Sequence, residues 1–189
     1  MPGSSGRKSS RSFPGSSLAG GTAGYDRTMA TAPSAPDINS FLAQAIRLAA
    51  ANVAAGGGPF GALVVTPDGR IHEGVNQVTR DNDPTAHAEV VAIRAAAAAC
   101  ATFDLSGSVL YASCEPCPLC LAASLWARVD RVYFAADRFA AAAAGFDDAV
   151  FFDYFDGTRP DLMPVHQTAV PASDLPFQTW RAHAERIEY

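Results

Sequence analysis

Between Ile38 and Ala49 apolar side chains return every third or fourth residue, so that Ile38, Phe41, Leu42, Ala45, Ile46 and Leu48-Ala49 share one helical face. This spacing predicts a helix from Ile38 to about Ala55, capped by Asp37 and ended by Gly56-Gly57-Gly58. The period then changes. Ala62-Leu63-Val64-Val65 is a short apolar run of strand type, Pro67-Asp68-Gly69 is a turn, and Arg70 to Asn76 supplies the second strand of a hairpin. Asp83-Pro84-Thr85 reads as the start of a helix that runs on toward Cys100. Ser108 to Ala112 reads as a short buried strand, about Cys117 to Ala127 as a helix, and Arg131 to Ala136 as a strand built on Val132, Tyr133 and Phe134. Ala140 to Ala144 predicts a turn of helix, which Gly145-Phe146-Asp147-Asp148 breaks ahead of the aromatic run Phe151 to Phe155. A last helix is expected from Leu175-Pro176, with Asp174 as cap and Phe177, Trp180, Ala184 and Ile187 on one stripe. Such a stripe must pack on its own protomer or on a neighbour.

Alternating short strands and helices imply an α/β domain, a three-layer α/β/α sandwich around a mixed sheet of about five strands. Helices that start at the carboxyl ends of strands would gather functional segments at one edge of that sheet. Residues 1–36 are rich in Gly, Ser and Pro and have no apolar period, which reads as a disordered tail, with 37–189 as the folded domain. The Ser- and Arg-bearing tail weakly resembles a transit peptide, but it shows no amphipathic helix, and an extended start upstream of Met29 is the simpler reading.

Composition narrows the partners. The apolar share of 49% is that of an ordinary globular chain, and 189 residues suffice to bury a core. Net charge is −5, yet residues 1–36 carry Arg7, Lys8, Arg11 and Arg27 against the single acid Asp26, so the remainder is more acidic than the whole. That charge repels phosphate backbones and argues against a nucleic-acid partner. Four cysteines do not make a disulfide framework, and neither a secretory apolar region nor a membrane span is visible, which points to a reducing cytoplasm.

The chemistry concentrates in Cys114-Glu115-Pro116-Cys117-Pro118-Leu119-Cys120 and His87-Ala88-Glu89. Cys117 and Cys120 lie one helical turn apart, so both thiols can reach one ion. Two thiolates and the neutral imidazole of His87 suit zinc and leave its fourth tetrahedral position for water. Helix-start amides near Cys117 favour the thiolate. Glu89 has no ligand duty in this count and can take a proton from that water and pass it on. An ideal helix points residues two apart away from each other, so His87 is expected at an irregular first turn, or Glu89 must reach around. Cys114 reads as a packing residue beside the ligands, since a fourth protein ligand would close the site to water. Cys100 reads as a small buried side chain, and His72, His166 and His183 lack ligand-spaced partners.

His87-x-Glu89 followed by Pro116-Cys117-x-x-Cys120 is a signature of zinc-dependent nucleobase deaminases. With Gly58-Pro59-Phe60-Gly61-Ala62, Asn82 to Glu89, Trp126-Ala127-Arg128, Ala144 to Asp148 and Pro176 to Tyr189, the chain after about Asp37 resembles the bacterial-type guanine deaminases of the cytidine deaminase superfamily. The resemblance implies a cytidine deaminase-like fold, one zinc ion per protomer, and hydrolysis of a free purine base, guanine to xanthine plus ammonia. It also implies a set of substrate contacts: Asn76 bonding the base, Phe60 stacking on it, Asp148 selecting a purine, and Ala88 and Trp126 completing the wall. Tyr189 would end a tail, from about residue 157, that folds over a neighbour's site as a swapped lid, which requires a homodimer. Guanosine, cytosine, a triazine such as ammeline, and adenosine in tRNA remain alternative substrates, and a structural zinc module remains the non-enzymatic alternative.

Overall fold

The computed structural model describes residues 33–188. Tyr189 and residues 1–32 lie outside the described residues, and with them the expectations of a contact from Tyr189 and of disorder over most of the tail. The first helix, α1 (Ala35–Ala54), starts earlier than its apolar period suggests. Ser34 and not Asp37 is its cap residue, because Pro36 is well suited to the first turn and carries the helix upstream. Asp37 lies in that turn and accepts a hydrogen bond from the Ser34 hydroxyl.

Four strands form one mixed sheet in the order β2-β1-β3-β4, namely β1 (Gly61–Val65), β2 (Ile71–Val75), β3 (Val109–Cys114) and β4 (Arg131–Ala136). The expected hairpin is present, with Gly61 opposite Val75 and Val65 opposite Ile71, and β3 pairs antiparallel to the other side of β1. β4 runs parallel to β3, which demands a crossover, and α4 (Pro118–Trp126) provides it. The expectation of about five strands is corrected to four among the described residues. The aromatic run after Gly145 is helical, α6 (Ala149–Phe155), with Phe151 and Phe155 at the four-residue spacing of a helix.

Strand alternation sorts the core into two layers. Leu63, Val109 and Tyr111 pack with Ala45 of α1 on one face, and the Phe41 and Tyr111 rings lie 4.8 Å apart. Ala62, Val64 and Leu110 face Ala88, Ala92, Ile93 and Ala96 of α3 (Ala88–Cys100) on the other. α3 approaches the sheet closely because β2 carries Gly74, where an added Cβ would sit 2.2 Å from the Ala88 carbonyl oxygen and 2.5 Å from the Ala92 nitrogen. A helix seated this tightly fixes where its first residues emerge.

Later elements are α2 (Val78–Asp81), α5 (Arg138–Ala143), α6, a 3-10 turn at Pro160–Leu162, and α7 (Leu175–Ala182). α7 starts where expected but ends at Ala182, so Ala184 and Ile187 are not on its stripe. Residues 155–185 are exposed throughout. No helix of the described residues is long and apolar enough to cross a membrane.

Replacing Gly74 with Ala should destabilise the fold by about 2 kcal/mol, the scale of overpacking a closed interior. The check is the urea unfolding midpoint, and a midpoint equal to that of the parent would contradict the close-approach argument.

Candidate active site

Two helix starts converge on one point. Asp83 accepts hydrogen bonds from the Thr85 amide at 2.8 Å and the Thr85 hydroxyl at 2.7 Å, so Asp83-Pro84-Thr85 forms a turn and not the first turn of α3. The helix therefore begins later than expected, and His87 becomes its extended cap residue with φ −67° and ψ 153°. This removes the orientation difficulty: His87 is not helical, so its ring and the Glu89 side chain, inside the first turn, can face the same cavity. Cys117 stands equally as the extended cap residue of α4, φ −66° and ψ 169°, with Cys120 in the first turn beyond it. The two thiols thus meet at a helix start and not along one helical face.

His87 Nδ1 lies 3.5 Å from Cys117 Sγ and 3.4 Å from Cys120 Sγ, and the two sulfurs are 3.6 Å apart. Tetrahedral zinc with bonds of about 2.3 Å to sulfur and about 2.0 Å to nitrogen needs edges of about 3.5–3.8 Å, so the triangle fits the ion as it stands. Among the described residues these are the three His, Cys, Asp or Glu side chains grouped to hold a metal. Cys114 does not join them; its thiol is turned to the Asp137 carbonyl oxygen at 3.5 Å.

The electrostatics call for a cation. The Cys120 thiol, with help from His87, lowers the pKa of Cys117 to about 4, while the same contact pushes Cys120 up. The pair therefore shares one negative charge until a cation allows both sulfurs to ionise. Glu89 is 7% exposed, and burial raises its pKa. Asp148 is raised by burial and then by the charge on Cys117. Zinc would let both sulfurs ionise and would offset the buried acids, and two thiolates with one imidazole are a zinc donor set.

Beside the triangle opens a cleft of about 550 Å³. Phe60, Asn76, His87, Glu89, Cys117 and Asp148 all line it, so six of the residues singled out in the sequence share one cavity. Ala88 is fully buried in the core and is not part of the lining. Trp126, at the end of α4, is 67% exposed and does not reach this cleft. Phe146 belongs to a segment that the sequence marks, but the chain alone assigns it no role; in the fold its ring meets that of Phe60 edge-on at 5.0 Å. Arg138 carries no signal in the sequence at all, yet it bonds Glu115 at 2.5 Å and lies 3.9 Å above the Phe152 ring. That pair lowers the pKa of Glu115 and ties the cysteine loop to α5. Opposite charges 23 residues apart give no local pattern to find.

Comparison with known proteins extends the geometry. The model of the cytidine and deoxycytidylate deaminase zinc-binding region matches residues 36–136. The chain is 46% identical to guanine deaminase of Bacillus subtilis over 152 residues, 79% of this chain and 97% of that one. The X-ray structure of guanine deaminase from Bacillus subtilis superposes with a TM-score of 0.76 at 47% identity, covering 80% of this chain and 98% of the other. The tRNA-specific adenosine deaminase of Haemophilus influenzae is 39% identical over 112 residues, 58% of this chain and 64% of that one.

Purified protein should carry one zinc ion per protomer, and His87→Ala, Cys117→Ala and Cys120→Ala should each remove most of it, whereas Cys114→Ala should not. Elemental analysis after gel filtration reads this directly. Loss of zinc in the Cys114 variant would place that thiol among the ligands.

Proposed function

Because the chain belongs to the cytidine and deoxycytidylate deaminase zinc-binding family, in its guanine deaminase branch, we propose that it hydrolyses free guanine to xanthine and ammonia. One observation carries the reading above all: Glu89, Asp148 and two of the three ligand residues, His87 and Cys117, line a single cleft. Bound zinc supplies a Lewis acid that makes water nucleophilic near neutral pH. Glu89 takes the proton from that water as oxygen adds to C2 of the base. It gives that proton to the adjacent ring nitrogen, then takes the second proton from the added hydroxyl and gives it to the amine, which leaves as ammonia while the new carbonyl forms, so that one carboxylate serves as base and as acid.

The walls are assigned by chemistry. Asp148 accepts from the base, whose ring N–H and amino groups present donors side by side. Asn76 bonds the base from the opposite loop, and Phe60 stacks on the ring with Phe146 braced against it. Ala88 can serve only through its main chain, its side chain being in the core. The carboxylates lining the cleft are Glu89, Glu115, Asp147 and Asp148 against the one guanidinium of Arg138, an excess of acid that disfavours phosphate-bearing substrates and nucleic acid.

We place residues 37–189 in one deaminase domain and propose a homodimer in a reducing cytoplasm, where the ligand thiols stay reduced. The dimer is supported by exposed apolar residues that a lone protomer leaves in water, among them Leu125, Phe177, Val165 and Ile187. Trp126 and Tyr189 then act on the partner's site, with the segment from about residue 157 as its lid.

Glu89→Gln should keep full zinc and lose activity by about 10²–10⁴-fold. Ammonia release and ultraviolet absorbance over guanine, guanosine, cytosine, cytidine, adenine and ammeline should single out guanine. Undiminished turnover in Glu89→Gln would remove the mechanism, and preference for another base would remove the substrate. Deletion of residues 157–189 should yield a monomer by light scattering without guanine turnover; an active monomer would refute the lid.

A further inference from the structure

We infer that Asn52, outside the cleft on the last turn of α1, is a positioning residue that clamps the two loops carrying Phe60 and Asn76; the inference rests on the reading of those two side chains as base contacts. Asn52 Nδ2 donates to the carbonyl oxygens of Gly58 and Asn76, both at 2.8 Å. A side-chain amide nitrogen has two hydrogens, so both donors are committed, one to each loop. Each loop is in turn bound to the other, since the Asn76 amide donates to the Phe60 carbonyl oxygen at 3.0 Å. The Asn76 side chain is held as well, its Oδ1 accepting the Val78 amide at 3.3 Å.

Packing shows the same clamp independently. A Cβ at Gly57 would lie 2.4 Å from Asn52 Nδ2, and one at Gly58 would lie 2.9 Å from Asn76 Oδ1. Gly57 is thus pressed against Asn52 and Gly58 against Asn76, and neither position has room for a side chain. The main-chain amide of Gly57 closes the arrangement by donating to the Asn52 carbonyl oxygen at 2.8 Å. No other side chain of this size satisfies both acceptors. Asp has the same shape but turns an oxygen toward two carbonyl oxygens, and Ala leaves both partly buried acceptors without their donor. Because Asn52 touches neither the zinc ligands nor Glu89, its loss should appear in the binding of the base and not in the proton transfers.

The test compares the zinc-loaded parent with Asn52→Asp and with Gly57→Ala, whose methyl would press on the Asn52 amide from the other side. Both variants should raise KM for guanine on the order of tenfold, with kcat within about threefold and zinc content unchanged. Hydrogen exchange should quicken together in segments 57–60 and 76–78 of both variants. If Asn52→Asp fails to fold, Gly57→Ala carries the comparison. A KM within about twofold of the parent, a loss confined to kcat, or faster exchange in only one of the two segments would overturn the clamp. If the parent itself does not deaminate guanine, the functional reading fails, and the exchange result still decides whether Asn52 couples the two loops.

Discussion

Everything in this structure depends on three ligand atoms being held 3.4–3.6 Å apart by two helix starts. Sulfur and nitrogen at such separations are a costly arrangement without an ion, because thiolates repel and each gains from the other's proton. The fold nevertheless imposes it. α3 is seated on β2 through Gly74, and α4 is fixed as the crossover between parallel strands β3 and β4. Cap residues at both helix starts then point at one volume, where the free amides of the first turns add positive potential. Bound zinc would relieve that repulsion.

The cleft follows from the same placement. Its catalytic side comes from the sheet's carboxyl edge, where β3 ends in Cys114, and its opposite walls come from connections: the Gly56–Phe60 loop, the end of β2 and the turn between α5 and α6. Main-chain and side-chain amides knit the first two together, while the Glu115–Arg138 pair fastens the third to the cysteine loop. An acid at Asp148 can therefore face an acid at Glu89 across the cleft, an opposition that only a cation and a donor-rich substrate make favourable.

Much of this was legible in the chain. Strand β4 coincides with its expected bounds, and β1, β2 and β3 lie within a residue or two of theirs, because each carries a run of β-formers between turn residues. The grouping of His87, Cys117 and Cys120 beside a cleft that Glu89 lines was legible because His-x-Glu and Pro-Cys-x-x-Cys are each locally spaced and chemically specific. Helix starts were less so: Asp83 and Asp37 look like caps, yet one side chain folds into its own turn and the other lies inside a helix that Pro36 allowed to begin earlier. Outside that motif, partnerships across the sequence left no trace. Asn52 reads as one more polar residue near a helix end, and Arg138 as a solvated charge, until the fold sets each against its carbonyl or carboxylate partners.

X-ray absorption at the zinc edge of the purified protein tests the central claim most directly. The account predicts two sulfur neighbours at about 2.3 Å, two lighter neighbours at about 2.0–2.2 Å, and the multiple scattering of one imidazole, so that the remaining light ligand is solvent. A third sulfur, or a second imidazole in place of solvent, would mean that the fourth corner is closed, and the hydrolytic reading would fall with it.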